Sequence, residues 1–170
     1  TIPSIPDAGV TGIVCGVCPI GYYCNALALT APIPCLAGSY SSVTSSTTCT
    51  PCPAGSYCLA ISTAPIPCGA GYICPANTAE SPFHPTYSCP VGKYCLAGTA
   101  TGTSCPVGTY RDSVGASVPG DCVTVPAGYY ADSVGTSNYF LNECPKGYYC
   151  PAGTTNRYAN PCPAGTYRYL

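Results

Sequence analysis

Charged side chains are scarce in this sequence. Only 6% of its 170 residues are Asp, Glu, Lys or Arg, and the net charge is −1, whereas roughly 25% of the residues of a typical soluble domain are charged. Binding to nucleic acid or to an anionic membrane needs a basic patch, and five Lys and Arg residues spread along the chain do not form one. The composition therefore predicts no nucleic-acid partner, and a surface that is hydrated by hydroxyls or sugars or covered by neighbouring molecules.

Large apolar side chains are also few. Met and Trp are absent and Phe occurs twice, so much of the 46% of apolar residues consists of 16 Cys and 16 Tyr. No segment shows the 3.6-residue period of a helix without an interrupting Pro or Gly. No window approaches the 18 uninterrupted apolar residues of a membrane span. We therefore expect almost no helix and no direct insertion into a membrane.

The residue types that enzymes use are rare or scattered. His84 is the single histidine, in a Pro-rich stretch, so a metal site or catalytic triad built on histidine is disfavoured. Asp112 and Asp132 hold equivalent places in two Asp-Ser-Val-Gly segments and are expected to hydrogen-bond in turns. The isolated acidic residues do not form a calcium site, and no Gly-rich phosphate loop opens a helix. We expect a non-enzymatic protein without a metal or cofactor.

One short motif recurs along the chain and is typified by Cys52-Pro-Ala-Gly-Ser-Tyr-Cys58. Nine copies of its five-residue core occur, with starts 16 to 21 residues apart. This spacing is typical of an array of small stacked units, each of which contacts mainly its two neighbours. The residue before each core, here called the leading residue, defines units 1 to 9: Cys18, Cys35, Cys52, Cys68, Cys89, Cys105, Val125, Cys144 and Cys162.

The chain divides into two parts. Residues 1–14 carry Pro and Gly among small residues and are expected to form an extended lead-in or a strand donated to a neighbour. Residues 15–170 are expected to form the tandem cysteine-rich repeat array. The start lacks the basic and apolar segments of a signal peptide, and the last core is followed by three residues. We expect a mature chain, an excerpt of a longer one, or a protomer completed by the lead-in of the next.

The core motif predicts a tight turn in every unit. Pro restricts φ and suits the second position of a type I turn, and Gly two residues later supplies a left-handed conformation. The Tyr that ends eight of the nine cores is expected to pack its ring across the turn. We therefore predict a small, disulfide-rich, all-β or irregular fold. It should be an elongated rod of about nine short hairpins with strands of two to five residues.

Sixteen cysteines, about 9% of the chain, predict a disulfide scaffold. Such scaffolds occur in oxidising compartments, so we expect a secreted protein that is extracellular or at the cell surface. The Cys-x-x-Cys pairs at Cys15 and Cys49 also occur in redox and zinc sites. Here they lack a strand-helix setting and stand among many other cysteines, which favours disulfides.

Two patterns of pairing are consistent with the repeat. The preferred one joins the Cys after each core to the Cys that begins the next: Cys15–Cys18, Cys24–Cys35, Cys49–Cys52, Cys58–Cys68, Cys74–Cys89, Cys95–Cys105, Cys122–Cys144 and Cys150–Cys162. The rival interlocks around the two Cys-x-x-Cys sites and leaves the other bridges unchanged: Cys15–Cys24, Cys18–Cys35, Cys49–Cys58 and Cys52–Cys68. It avoids the tight ring of a Cys-x-x-Cys bridge. Sequence alone does not decide between them.

Two tracts rich in Ser and Thr are candidates for O-linked glycans, because no Asn-x-Ser/Thr site occurs. The alternative is an unmodified polar loop. The candidate residues are Ser41, Ser42, Thr44, Ser45, Ser46, Thr47, Thr48, Thr99, Thr101 and Thr103.

The Cys-Pro-x-Gly-x-Tyr-Cys units, each followed by a further Cys-Pro-x-Gly-x-Tyr core, resemble the ephrin-receptor-like cysteine-rich repeats. The resemblance covers residues 15–167, and the chain departs from the pattern at Leu36, Gly69 and Val125. Such repeats occur in animal receptors, in secreted matrix proteins and in large surface proteins of algae and protists, including mastigoneme proteins of flagellar hairs. The resemblance implies an extracellular module and no single function, since fold and function are separable.

The leading hypothesis is a structural protein that forms or coats an extracellular fibre, mastigoneme-like or a glycosylated fibril. Disulfide-laddered rods would self-associate by packing or by joining head to tail. The alternative is the stalk of a cell-surface receptor or adhesin, which would hold a binding domain away from the membrane. A secreted inhibitor or enzyme has little support in the residues.

Overall fold

A computed structural model of the chain describes residues 15–167. Within this range the backbone forms ten strands of two residues each, paired in five antiparallel hairpins, and two short 3-10 helices. The prediction of a small, disulfide-rich β fold with almost no helix is confirmed. The predicted lead-in, residues 1–14, lies outside the described residues.

Each hairpin pairs the end of one core with the two residues before the next leading residue, so the chain reverses in the segment between them. The pairs are β1 (Tyr22–Tyr23) with β2 (Ile33–Pro34), β3 (Ser39–Tyr40) with β4 (Thr50–Pro51), β5 (Ser56–Tyr57) with β6 (Ile66–Pro67), β7 (Lys93–Tyr94) with β8 (Thr103–Ser104), and β9 (Thr109–Tyr110) with β10 (Val123–Thr124). In units 4, 7 and 8 a single bridge replaces the hairpin: Tyr72↔Ser88, Tyr129↔Glu143 and Tyr148↔Pro161. The 3-10 helices cover Pro85–Tyr87 and Pro119–Asp121.

The core turn differs in one respect from the prediction. In unit 3 the N–H of Ser56 donates to the carbonyl of Pro53, so Pro holds the first position of the turn and not the second. Gly55 holds the third, and the core glycines of all nine units have φ between 73° and 92°. A positive φ at the third position is the requirement of a type II turn, and glycine meets it without strain.

Neighbouring units are joined by four backbone hydrogen bonds, and this pattern is here called the joint. Two bonds involve the core glycine, and two involve a second turn that follows the core. The closing residue is the one directly after the core tyrosine position. Between units 3 and 4 the bonds are Gly55 N to Cys74 O (2.8 Å), Cys68 N to Gly55 O (2.9 Å), Cys58 N to Thr78 O (3.0 Å) and Asn77 N to Cys52 O (2.9 Å). All joints from units 1–2 to units 7–8 repeat these four bonds.

The second turn contains another left-handed residue, which the sequence reasoning missed. In units 2 to 8 its N–H donates to the leading carbonyl of the preceding unit. Non-glycine residues with positive φ are uncommon, and a β-branched one such as Ile61 (φ 61°) is an outlier. These second-turn residues are Ala28, Ser45, Ile61, Asn77, Gly98, Gly115, Gly135 and Gly153.

The second turn also explains why the core position must be glycine. The carbonyl of each second-turn residue from Ile61 onward lies against the core glycine of the unit two places earlier. A Cβ on Gly55 or Gly92 would stand 2.2 Å from the oxygen of Gly98 or Gly135. The expectation that a unit contacts mainly its two neighbours is therefore too narrow, because packing extends to the second neighbour.

The interior of the stack consists mostly of leading and closing residues. Cys35, Cys89 and Cys105 are fully buried, as are most of the other half-cystines. Unit 7 has no cysteine at the leading or the closing position. Val125 and Ala131 occupy these positions at 0% exposure. A small apolar pair thus fills the space that a disulfide fills elsewhere.

Candidate functional site: the disulfide column and its two ends

The turn of each core places the leading and closing residues opposite each other. In five units both are cysteines, their Cα atoms lie 5.7 to 6.1 Å apart, and they form a disulfide. This separation is the usual one for a disulfide. The five bridges are Cys18–Cys24, Cys52–Cys58, Cys68–Cys74, Cys89–Cys95 and Cys144–Cys150.

Units 2 and 6 have a leading cysteine but no closing one, and they form a different bridge. The closing residues there are Ser41 and Arg111. The leading cysteine instead pairs with a cysteine three residues before the leading residue of the next unit. These bridges, here called open bridges, are Cys35–Cys49 and Cys105–Cys122.

Both predicted pairing patterns are wrong. The structure forms none of the preferred bridges Cys15–Cys18, Cys24–Cys35, Cys49–Cys52, Cys58–Cys68, Cys74–Cys89, Cys95–Cys105, Cys122–Cys144 and Cys150–Cys162. It forms none of the rival ones either. The preferred pattern joined the cysteine after one core to the cysteine before the next. The turn inside each core instead brings the leading and closing cysteines of that core together, with Cα atoms 5.7 to 6.1 Å apart in the five units that carry both.

Two of the sixteen cysteines form no disulfide in the described structure. Cys15 is exposed and precedes unit 1, and Cys162 is half-buried and leads unit 9. They stand at opposite ends of the array. The Cys-x-x-Cys segment at Cys15 therefore has one bridged and one unbridged cysteine.

The O-glycan candidates differ in accessibility. Ser41 is 2% exposed, because it fills the closing position of unit 2, and its Oγ donates to the carbonyl of Val43. The prediction of a glycan at Ser41 is wrong, since a buried hydroxyl has no room for a sugar. Ser46 and Thr99 are half-buried, and the exposed candidates are Ser42, Thr44, Ser45, Thr47, Thr48, Thr101 and Thr103. A glycan at these other positions stays a prediction.

The residues considered for chemistry lie apart from one another. His84 Nδ1 accepts the backbone N–H of Thr86 (3.3 Å) at the start of a 3-10 helix. Asp112 is exposed and accepts a bond from the Oγ of Ser113 (3.3 Å). Across residues 15–167 no three His, Cys, Asp or Glu side chains come together as metal ligands would.

Arg157 makes the one ion pair found among residues 15–167, with Asp132. Its guanidinium also lies 4.4 Å from the ring centre of Tyr130. The hydrogen bond to Asp132 raises the pKa of Arg157 above its usual value. The contact links the closing segment of unit 7 to the loop after unit 8, and so reinforces a joint at which unit 7 has no disulfide.

An aromatic cluster lies beside units 6 and 7. The ring of Tyr139 is 4.5 Å from that of Tyr110, 5.0 Å from that of Tyr129 and 4.2 Å from that of Phe140. Desolvation by these neighbours raises the pKa of the Tyr139 hydroxyl. Phe140 and Leu141 remain exposed at the edge of the cluster. The cluster packs beside the unit that has no disulfide.

The carboxylate of Asp121 holds together the loop that an open bridge closes. One of its oxygens accepts the backbone N–H groups of Ser117 (2.6 Å) and Val118 (3.1 Å). These two bonds lower the pKa of Asp121 below its ordinary value.

The lowered pKa predicts an acid-dependent loss of stability. Because the folded pKa of Asp121 is depressed, its contribution is present above the ordinary value of 3.8 and is lost as the pH falls through the folded pKa. Asp121→Asn should therefore flatten the stability profile below about pH 4, measured by guanidinium unfolding. Asp112→Asn is the matched control, because Asp112 accepts only a side-chain bond. Equal slopes for Asp121→Asn and the unaltered chain would contradict the assignment.

The signal for the open bridges was present in the sequence. A leading cysteine without a closing cysteine is followed by Cys at the third position before the next leading residue in units 2 and 6. This rule can be applied only once the bridge between the leading and closing cysteines of a unit is known. That bridge depends on the turn geometry.

Seven disulfides are typical of proteins that fold in an oxidising compartment and favour a secreted or extracellular protein. In the part of the chain that the structure describes, no helix has the length and apolar character of a membrane span. No protein-family model matches the sequence, and no curated protein matches it.

Proposed function

We propose that this protein is a non-enzymatic structural component of an extracellular fibre, built by self-association of disulfide-braced stacks. The observation that carries the proposal is the repeated joint. The same four backbone hydrogen bonds connect every pair of units from 1–2 to 7–8, whatever side chains the units carry. A joint made by the backbone can be repeated without limit, because it needs only a core glycine and a second turn.

The composition of the surface favours self-association of the chain and disfavours a free monomer. Charged residues make up 6% of the chain, and many large apolar side chains are exposed, including Leu27 at 99% and Leu141 at 83%. A monomer with so little charge has poor colloidal stability. Burial against neighbouring chains, or cover by O-linked glycans on the exposed Ser and Thr residues, would shield these side chains.

The resemblance to ephrin-receptor-like repeats of fibre-forming surface proteins agrees with this role and remains part of the proposal. Under it, the partner of the protein is a further copy of itself. The fibre would be mastigoneme-like or a glycosylated fibril at the cell surface or outside the cell.

Electron microscopy of the purified chain under non-denaturing conditions tests the proposal. We expect filaments whose length grows with protein concentration. A uniformly monodisperse monomer at high concentration, checked by analytical ultracentrifugation, would contradict self-association. That outcome would favour the alternative function, the stalk of a receptor or adhesin.

A further inference from the structure

Unit 1 has one side of a joint that bonds to no other unit among residues 15–167. In units 2 to 8 the leading N–H, the closing C=O, the second-turn N–H and the following C=O all bond to the preceding unit. The same groups of unit 1 have no partner among residues 15–167. They are the N–H of Cys18, the C=O of Cys24, the N–H of Ala28 and the C=O of Leu29. The closing residue Cys24 is half-buried, whereas most other closing half-cystines are fully buried.

A groove marks the same place on unit 1. It has a volume of about 220 Å³ and is lined by Val17, Cys18, Cys24 and Leu29, among others. In the later units the corresponding side is filled by the core turn of the preceding unit. The groove therefore has the position and the hydrogen-bonding groups to receive a core turn.

Unit 9 has the complementary side of a joint, and within the described range this side bonds to no other unit. The N–H and C=O of Gly165 and the C=O of Cys162 are the groups that units 1 to 7 offer to the next unit, and they bond to nothing in the described part of the chain. Core glycines are buried in units 1 to 6, whereas Gly147 and Gly165 are exposed. Each unused group of unit 9 has its counterpart on unit 1.

The cysteines match in the same way. Three units have a leading cysteine and no closing cysteine, namely units 2, 6 and 9, because Ser41, Arg111 and Arg168 follow their cores. Three units have Cys at the third position before the leading residue, namely units 1, 3 and 7. Unit 2 bridges to unit 3 and unit 6 to unit 7, with Cα atoms 5.7 Å apart in both. Unit 9 and unit 1 remain, with Cys162 and Cys15.

We propose that Cys162 of one copy forms an open bridge with Cys15 of a second copy, whose unit 1 stacks on unit 9 through the same joint that connects the units within the chain. The proposal rests on the proposed function, which it refines by naming the surfaces and the covalent bond. The occupant of the groove on unit 1 is then the core turn of unit 9 in the neighbouring copy.

The bridge needs an oxidant, and a small-molecule disulfide such as oxidised glutathione supplies it. The thiolate of Cys162 attacks one sulfur of that disulfide, forms a mixed disulfide and releases one thiolate. The thiolate of Cys15 in the second copy then attacks the Sγ of Cys162, and the second thiolate leaves. Two protein thiols are oxidised, one small disulfide is reduced, and two small thiols carry away the protons.

Two single variants test the bridge, since neither cysteine has a disulfide to lose within the chain. The unaltered chain, incubated with a glutathione redox buffer, should give a ladder of multimers on a non-reducing gel that collapses to monomer on reduction. Cys15→Ser and Cys162→Ser should each stay monomeric on that gel. Mixed in equal amounts, they should give a dimer and nothing larger, because one Cys162 and one Cys15 remain to pair. Mass spectrometry should find Cys15 linked to Cys162.

Other outcomes would overturn the proposal. A disulfide dimer of either variant alone would mean symmetric pairing, and a monomer without free thiols would mean a bridge within one chain. A monomer with both thiols open to alkylation would mean that the ends do not meet. Microscopy of the same samples separates the two proposals: filaments of the unaltered chain without any ladder on the gel contradict the bridge alone. A ladder without filaments contradicts the fibre.

Discussion

Gly55→Ala should lower the free energy of unfolding locally by about 3 to 5 kcal/mol, a large effect for a single methyl group. Two costs add. Gly55 has φ 85°, which is strained for alanine, and the new Cβ would stand 2.2 Å from the carbonyl oxygen of Gly98. That oxygen belongs to the backbone of the unit two places along, so it cannot turn away as a side chain would. The second turn of unit 5 must shift and weaken the joints around it.

Hydrogen exchange followed by mass spectrometry measures this effect, because contacts in a repeat array are local and unfolding need not be global. Exchange at the N–H groups of units 3 to 5 should rise by about a hundredfold or more. Gly147→Ala is the matched control at the same turn position: φ is 81°, but nothing lies within 4 Å of the new Cβ. It should cost only the strain of about 1 to 2 kcal/mol. Equal losses in the two variants would refute a steric role for the second turn.

The second large effect concerns the buried disulfide Cys52–Cys58, which joins the leading and closing residues of unit 3. Unit 7 shows that a valine and an alanine can occupy the same two positions at 0% exposure. Cys52→Val combined with Cys58→Ala should therefore keep the fold and lose about 2 kcal/mol, the chain-entropy value for so short a loop. The joint hydrogen bonds of unit 3 come from the backbone and should persist.

Cys52→Ser combined with Cys58→Ala is the comparison, since the two double variants differ only at the leading residue. Cys52 is 1% exposed, so a serine hydroxyl there loses its water. An unpaired buried hydroxyl lowers the free energy of unfolding by a further amount of about 1 to 3 kcal/mol. The smaller serine side chain also leaves a cavity. Guanidinium unfolding of both, with near-ultraviolet circular dichroism to check packing, gives the difference. If the serine variant were as stable as the valine variant, the leading position would not be the closed apolar site that we describe.

The disulfide pairing shows where sequence reasoning stops. The preferred pattern joined the cysteine after one core to the cysteine before the next core, and that choice of partner was wrong. The turn within a single core brings its own two flanking cysteines together instead. Between Cys52 and Cys58 lie five residues, and the turn at Gly55 brings their Cα atoms to 5.9 Å.

The burial of Ser41 could not be predicted from the sequence, for a related reason. In the sequence it begins a tract of Ser and Thr, and its neighbours Ser42 and Thr44 are indeed exposed. Only the register of the repeat shows that Ser41 stands where other units have a closing cysteine. A closing residue faces the interior whatever its chemical type.

The sequence by itself determined the class of fold, the nine units with their boundaries, the near absence of helix and the need for an oxidising compartment. These follow from local chemistry: Pro and Gly dictate turns, and a dense set of cysteines implies bridges. Only the tertiary structure decided which cysteines pair and why glycine is required against the unit two places away. It alone also revealed the complementary surfaces of units 1 and 9. Those properties depend on which groups the stacking of units brings within a few ångströms of each other. Gly55 and Gly98 are far apart along the chain, and the sequence around them gives no sign of their contact.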